Sequence, residues 1–169
     1  MRLCGQQAVW NYEEENGLLT IQGVGAMEDY TEPEQVPWNS LMQEIKVVVI
    51  RDGITTVGDY AFAGCSNLQE VTLPGSVEIV GVFSFKGCTG LREIVIPEGV
   101  RVLASKAFQF CSALKKVYLP STLIDVDMRA FGKCESLEEV FYQGSEEQWE
   151  QIMICLLYTS DAADEARSV

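Results

Sequence analysis

The chain reads as a mainly β solenoid with short helical turns, wound from 23-residue coils and closed at its N-terminal end by a β-hairpin. Three observations lead there. Cys65, Cys88, Cys111 and Cys134 recur at a step of 23 residues, and Phe62, Phe85, Phe108 and Phe131 keep the same step. The aliphatic columns Leu68, Leu91, Leu114, Leu137 and Val71, Ile94, Val117, Val140 run in register with them, as do Leu73, Ile96, Leu119, Tyr142 and the prolines Pro74, Pro97 and Pro120. Finally, the apolar residues just before each proline alternate, which is the period of a strand. A fixed repeat of this length marks an array whose units cannot bury their apolar faces alone and must stack to do so.

The elements follow in chain order. VWNYEEENGLLTIQG predicts the hairpin: Val9 to Tyr12 alternate, Asn16-Gly17 supplies the turn, and Leu19, Ile21 and Gly23 alternate with Leu18, Thr20 and Gln22. A capping hairpin covers ladder residues and strand edges that an open solenoid end would expose. The array begins as a half-repeat near Ile45, where Ile45, Val48 and Ile50 enter the aliphatic columns while Asn39 and Met42 stand at the Phe and Cys positions. In a full unit such as AFAGCSNLQEVTLPGSVEIVGVF, Val71 and Leu73 share one face of a short strand that Pro74 ends, because proline lacks the N–H a ladder needs. Val77 and Val80 mark a second extended stretch, and Ala-Phe-x-x-Cys suits a single helical turn with Phe and Cys on one side.

The motif L-x-x-V-x-L-P-x-x-V-x-x-V-x-x-x-A-F-x-x-C resembles the BspA-type leucine-rich repeat of bacterial and protist surface proteins, from about Ile45 to Tyr142. The resemblance implies a leucine-rich-repeat solenoid of four repeats after the half-repeat. Departures are local: Ser84 replaces Ala before Phe85, Phe110 stands where Gly64 and Gly87 stand, and Phe141-Tyr142-Gln143 lacks the expected proline. Cys4-Gly5, Trp10, the Gly17 to Met27 run and Pro37-Trp38 resemble the segment that precedes these repeats, which implies that Trp10, Met27 and Trp38 pack on the first coil. Gln143 to Ile152 resembles the closing strand and short helix. There Ser145 is the N-cap, Gln148 completes a capping box, and Trp149 and Ile152 face the core. The organisation is then a cap over residues 1–44, the array over 45–142, the start of a C-terminal cap over 143–154 and a non-native tail over 155–169. CLLYTSDAADE resembles one reading frame of a transposase adapter used in sequencing libraries and continues neither the helix nor the period.

Composition narrows the function. Net charge is −13 at pH 7, from 12 Lys+Arg and 25 Asp+Glu, so the basic surplus behind nucleic-acid affinity is missing, and an anionic membrane repels the chain. The cap is strongly acidic: over residues 1–40, Glu13, Glu14, Glu15, Glu28, Asp29, Glu32 and Glu34 stand against Arg2 alone. The absence of histidine removes the usual general base and the commonest metal ligand. No apolar run of about eighteen residues is present for a membrane span, and the first residues lack a signal-peptide core. Neither nucleic acid nor membrane insertion is expected.

Candidate sites divide into interior and surface. Four collinear thiols do not converge as the tetrahedral ligands of zinc must. Neighbour-to-neighbour disulfides fit the distance, yet the adjacent Phe and Leu columns assign these cysteines as small core hydrophobes, and no metal or cofactor is expected. Cys4 is either a packed cap residue or an exposed thiol open to pairing. Glu13-Glu14-Glu15 and Glu146-Glu147 read as solvated faces rather than a catalytic pair, and no phosphate-loop, nucleophile-elbow or zinc-protease motif occurs, so the chain is expected to be no enzyme.

On the strands, residues between the buried positions point outward as one column of Val49, Thr72, Val95, Tyr118 and Phe141 beside another of Val47, Glu70, Glu93, Lys116 and Glu139. An aromatic and β-branched stripe with a charged rim has the makeup of a binding face, though the same residues also stabilise cross-strand pairing without a ligand. The family resemblance implies protein-protein or adhesive interaction, with a protein or glycoprotein ligand, at a bacterial cell surface or in secreted form. An accessory domain of a larger secreted enzyme and a cytoplasmic scaffold are the alternatives.

Overall fold

The computed structural model describes residues 2–158. Strands β1 (Ala8–Glu13) and β2 (Leu18–Gly23) form the expected antiparallel hairpin, with Trp10 opposite Ile21 and Tyr12 opposite Leu19. Gly17 closes it at φ +62, where a Cβ would stand 2.7 Å from the carbonyl oxygen of Glu44, so both backbone conformation and space require glycine. The hairpin is more than a lid. β2 lies parallel to β4 (Val47–Ile50), placing Leu19 beside Val48 and Ile21 beside Ile50, so it supplies the first rung of the main sheet.

The strands predicted before each proline appear as β6 (Glu70–Thr72), β8 (Glu93–Val95), β10 (Lys116–Leu119) and β12 (Glu139–Tyr142), parallel wherever they pair and in the register of the 23-residue step. The second extended stretch forms its own parallel sheet: β3 (Gly25–Ala26), β5 (Ile54–Val57), β7 (Ile79–Val80), β9 (Val102–Leu103) and β11 (Asp125–Val126). Between the sheets run the predicted columns. Ile45, Leu68, Leu91 and Leu114 are fully buried, as are Ile54, Val77 and Val100.

The main sheet is not continuous but divides into β1-β2-β4-β6 and β8-β10-β12, and no ladder joins β6 to β8. Glu70 and Glu93 are neighbours in one column at this break, whereas the next step sets Lys116 between Glu93 and Glu139 and the ladder is intact. Like charges opposite across strands are destabilising, and the break falls between two glutamates that follow one another in a column.

The Ala-Phe-x-x-Cys segment is more ordered than a single helical turn. Its amides alternate between two jobs. Those of Ala61, Ala63 and Cys65 donate to carbonyls three residues back, closing local turns at 3.1–3.2 Å. Those of Tyr60, Phe62 and Gly64 donate to Val82, Ser84 and Lys86 of the next coil at 2.7–3.0 Å, and Phe83, Phe85 and Gly87 repeat the pattern onto Ser105, Ala107 and Gln109. This third inter-coil ladder requires left-handed residues. Gly64 and Gly87 take φ +84 and +74, and Phe110 and Lys133 hold φ +62 and +60 in the same column. Tyr60, Phe83 and Lys106 form a second left-handed column at φ +56 to +61, a backbone region costly for a residue with a Cβ.

Inside this ladder the phenylalanines stack face to face. Phe62, Phe85, Phe108 and Phe131 have ring centroids 5.1–5.3 Å apart and interplanar angles of 4–20°. The column does not pass to Asn39, which is exposed; Trp38 takes the place instead, stacked 5.5 Å from Phe62, donating from Nε1 to the carbonyl of Ala61 at 2.9 Å, and met edge-on by Trp10. A large ring covers the end of the column where an amide could not. Trp38 and Met27 are thus buried in the cap as expected, and Trp10 is half-buried against them.

Cys4, Cys65, Cys88, Cys111 and Cys134 are free thiols, the first four buried and Cys134 half-buried. Cys65, Cys88 and Cys111 are buried, and the thiols of Cys88, Cys111 and Cys134 donate to the carbonyls of Phe62, Phe85 and Phe108 at 3.2–3.3 Å. Cys4 is the packed cap residue and not an exposed thiol. Burial pushes the thiols up: Cys65 to about 12, Cys88 upward, and Cys4 to about 12 with the Glu28 carboxylate adding to the effect.

At the far end, helix α1 (Glu146–Tyr158) opens with the predicted capping box: the Ser145 amide donates to Gln148 Oε1 at 2.8 Å and the Gln148 amide to Ser145 Oγ at 3.1 Å. Ile152 is buried and Trp149 packs on Tyr142, 5.1 Å between centroids. The helix packs against β11. It does not end before Cys155, as the sequence reading held, but continues through Tyr158, since nothing in Cys-Leu-Leu-Tyr breaks a helix. The rest of the 155–169 tail assignment lies outside the described residues. Because β12 is the last strand of its sheet, Val140 is 46% exposed, whereas Ile94 and Val117 of the same column are buried.

Three expectations follow for stability. Phe108→Ala should cost about 3–5 kcal/mol in urea denaturation, because it removes one ring from a stack with partners above and below. Ser84 Oγ is buried without a hydrogen-bond partner in a column otherwise filled by Ala61, Ala107 and Ala130, so Ser84→Ala should raise stability by about 1 kcal/mol. The thiols set an alkaline limit. Above their ordinary value of 9.0 they ionise in the unfolded chain while remaining protonated in the fold, so their stabilising contribution is intact below pH 9 and is lost as pH rises toward about 12. Urea midpoints between pH 8 and 11 should fall, and less steeply in Cys65→Ala.

Candidate functional site

Strand alternation fixes which side chains leave the core. In the register of β8, β10 and β12, Ile94 and Val117 point inward, while Val95, Tyr118 and Phe141 form an outward row, Val95 beside Tyr118 and Tyr118 beside Phe141. Val95 is 50% and Phe141 40% exposed. The Tyr118 and Phe141 rings stack 4.8 Å apart at 14°, so together they present one flat aromatic surface. Glu93, Lys116 and Glu139 form the parallel row; Lys116 Nζ lies 3.6 Å from Glu139 Oε1 with both side chains nearly half exposed, a surface pair worth under about 1 kcal/mol.

The N-terminal members stand apart from this group. Glu70 and Thr72 are exposed on β6, and Val47 and Val49 are half-buried on β4. Between the two halves, where the ladder is interrupted, opens a cleft of about 410 Å³ lined by residues 69–73, Glu93 and Val95. The ten predicted residues therefore share the outward side of the main strands, but the structure joins only Glu93, Val95, Lys116, Tyr118, Glu139 and Phe141 into one continuous paired surface. A larger depression of about 790 Å³ lies at the other end, against the cap, between Leu3, Gly5 and Val24 to Glu28.

Sequence reasoning passed over another surface group, on the turns. The Tyr60 and Phe83 rings lie 4.9 Å apart, tilted by 39°, Lys86 and Lys106 lie over Phe83, and Lys86 also reaches the ring of Phe110. The signals were present: Tyr60, Phe83 and Lys106 share one 23-residue column, and Phe110 interrupts a glycine column. Among the described residues no three His, Cys, Asp or Glu side chains gather where a metal ion would be held, and no helix is long and apolar enough to cross a membrane.

Similarity to known proteins agrees with this geometry. The family described as BspA type leucine rich repeat region matches residues 40–153 in six copies, a span that takes in part of each cap. No curated protein sequence matches the chain. Among solved structures, a leucine rich cell surface protein from Faecalibacterium prausnitzii superposes with a TM-score of 0.71 at 23% identity, and a leucine-rich repeat protein from Eubacterium ventriosum with 0.65 at 24%. These cover 88% and 86% of the chain, which spans only 41% and 44% of theirs. A leucine rich repeat protein from T. pallidum gives 0.52 at 17% identity, covering 85% of this chain and 84% of its own. With its rings, thiols and aliphatic residues stacked in register and the family pattern running through most of its length, the chain belongs to the BspA-type leucine-rich repeat proteins.

Proposed function

We propose that this chain is a non-enzymatic interaction module, displayed at a bacterial cell surface, that binds a protein or glycoprotein through the outward face of its main strands. The observation that carries the reading is the stacked, solvent-facing pair Tyr118 and Phe141 continued by exposed Val95, with Glu93, Lys116 and Glu139 alongside. Rigid aromatic surface with a polar border is what protein partners bury at the centre of an interface. Glu70, Thr72 and Val49, across the cleft, extend the contact area for a large ligand. The interior is committed to structure: its rings stack on one another, and three of its ladder thiols donate to backbone carbonyls. Surface display is supported by the cell surface protein from Faecalibacterium prausnitzii, whose fold the chain shares.

The test is binding of the labelled chain to an array of extracellular proteins and glycoproteins. Tyr118→Ser with Phe141→Ser should weaken the strongest interaction about thirtyfold or more, as two central aromatic anchors do, while leaving the unfolding free energy within about 1 kcal/mol. A wild-type chain that binds nothing on the array, or a double variant that binds as tightly as wild type, would sink the assignment.

A further inference from the structure

The turn ladder carries a second surface that the sheet face does not explain. Five non-glycine residues hold left-handed backbone there, and among them Tyr60, Phe83 and Phe110 are aromatic. Phe110 is the sharpest case. Gly64 and Gly87 occupy its column in the two preceding coils, where a Cβ would meet nothing closer than 3.9 Å, yet here a phenylalanine accepts the left-handed strain and is 46% exposed. Neither the fold nor the core needs that ring. Strained residues that a fold does not require are a mark of function.

The rings are joined by cations. Lys86 Nζ lies 4.8 Å from the centroid of Phe83 and 5.9 Å from that of Phe110, so it sits between them, and Lys106 Nζ lies 5.4 Å from Phe83. Tyr60 extends the row on the other side of Phe83, and Lys133 follows Phe110 in the left-handed column. In a chain with 25 acidic and 12 basic residues, the ion pairs among the described residues are Lys116 with Glu139 and Arg129 with Asp127, so no carboxylate of the described residues pairs with Lys86 or Lys106. Two uncompensated ammonium groups beside flat rings form a local basic and aromatic patch on an acidic protein.

We propose that this turn-side patch of Tyr60, Phe83, Lys86, Lys106 and Phe110 binds an acidic polysaccharide. The ring faces, negative in their quadrupole, pack on the C–H faces of sugar rings, and the ammonium groups take the sugar carboxylates. A peptide is the poorer fit. The amides of Tyr60, Phe62, Gly64, Phe83, Phe85, Gly87, Phe108 and Phe110 are all spent on the next coil, leaving no row of main-chain donors for a strand to pair with. The site is separate from the sheet face and does not depend on that face having a ligand.

The experiment uses the whole chain and fluorescent oligogalacturonate, with its methyl ester as a sugar of the same shape without charge and polyglutamate as an anion without sugar. Oligogalacturonate should bind, more weakly as salt rises, while the ester and polyglutamate should bind at least about tenfold less tightly. Lys86→Gln with Lys106→Gln should weaken binding about tenfold, and so should Phe110→Gly, although that change restores the residue of the neighbouring coils and should not lower the melting temperature. Tyr118→Ser with Phe141→Ser should leave it unchanged. The proposal is overturned if oligogalacturonate does not bind, if the ester binds equally, if polyglutamate binds equally and so points to an acidic protein, or if only the sheet-face variant loses binding.

Discussion

Phe62, Phe85, Phe108 and Phe131 are held ring on ring, 5.1–5.3 Å apart, and none has a wall of its own coil large enough to cover both faces. Phe62, Phe85 and Phe108 are each buried between two rings, Trp38 serving below Phe62, while Phe131 at the end of the stack is half-buried, and the strands, thiols and aliphatic columns share that spacing. A coil taken alone would expose a ring, a cysteine and several aliphatic side chains to water, so stability is a property of neighbouring coils. The ends show what the constraint demands. At the N-terminus Trp38 supplies a ring and β2 supplies a strand, and the column is sealed; beyond β12 no strand pairs among the described residues, and Val140 is exposed whereas Ile94 and Val117 of its column are buried.

Keeping every coil at that spacing uses three hydrogen-bonded ladders, and each exacts a local condition. The two β ladders ask for extended residues and for charges that do not oppose one another, which fails at Glu70 and Glu93 and leaves a cleft in the face. The turn ladder asks for left-handed residues. Glycine meets that demand at Gly64 and Gly87, whereas Tyr60, Phe83, Lys106, Phe110 and Lys133 meet it under strain. The two surfaces with functional potential lie on these ladders, because only there does the fold hold side chains rigidly at a fixed repeat while leaving them outside the core.

Much of this was legible in the residues themselves. The period, both families of strands, the buried columns, the hairpin and the Ser145–Gln148 capping box follow from apolar spacing and from local chemistry of turns and caps, which act within a few residues. The outward positions of Tyr118 and Phe141 were legible too, since strand alternation alone assigns them. What escaped depends on contacts between coils. That Trp38 rather than Asn39 ends the ring column is settled by which side chain has a flat face to offer Phe62, although a strict step of 23 residues points to the asparagine. The turn segment has a local helical signature, and only the adjacent coil shows that alternate amides turn outward to it.

The sequence by itself determined a stacked 23-residue solenoid with a capped start, because a repeated apolar pattern has no other way to be buried. The tertiary structure alone decided where that stack is continuous and what its surface presents. The division of the main sheet beside Glu70 and Glu93, and the placing of Lys86 and Lys106 over Phe83 with Lys86 reaching Phe110, depend on side chains 23 or more residues apart, or in different columns. Their interaction depends on distances of a few ångströms between coils, a quantity that periodicity in one dimension does not contain.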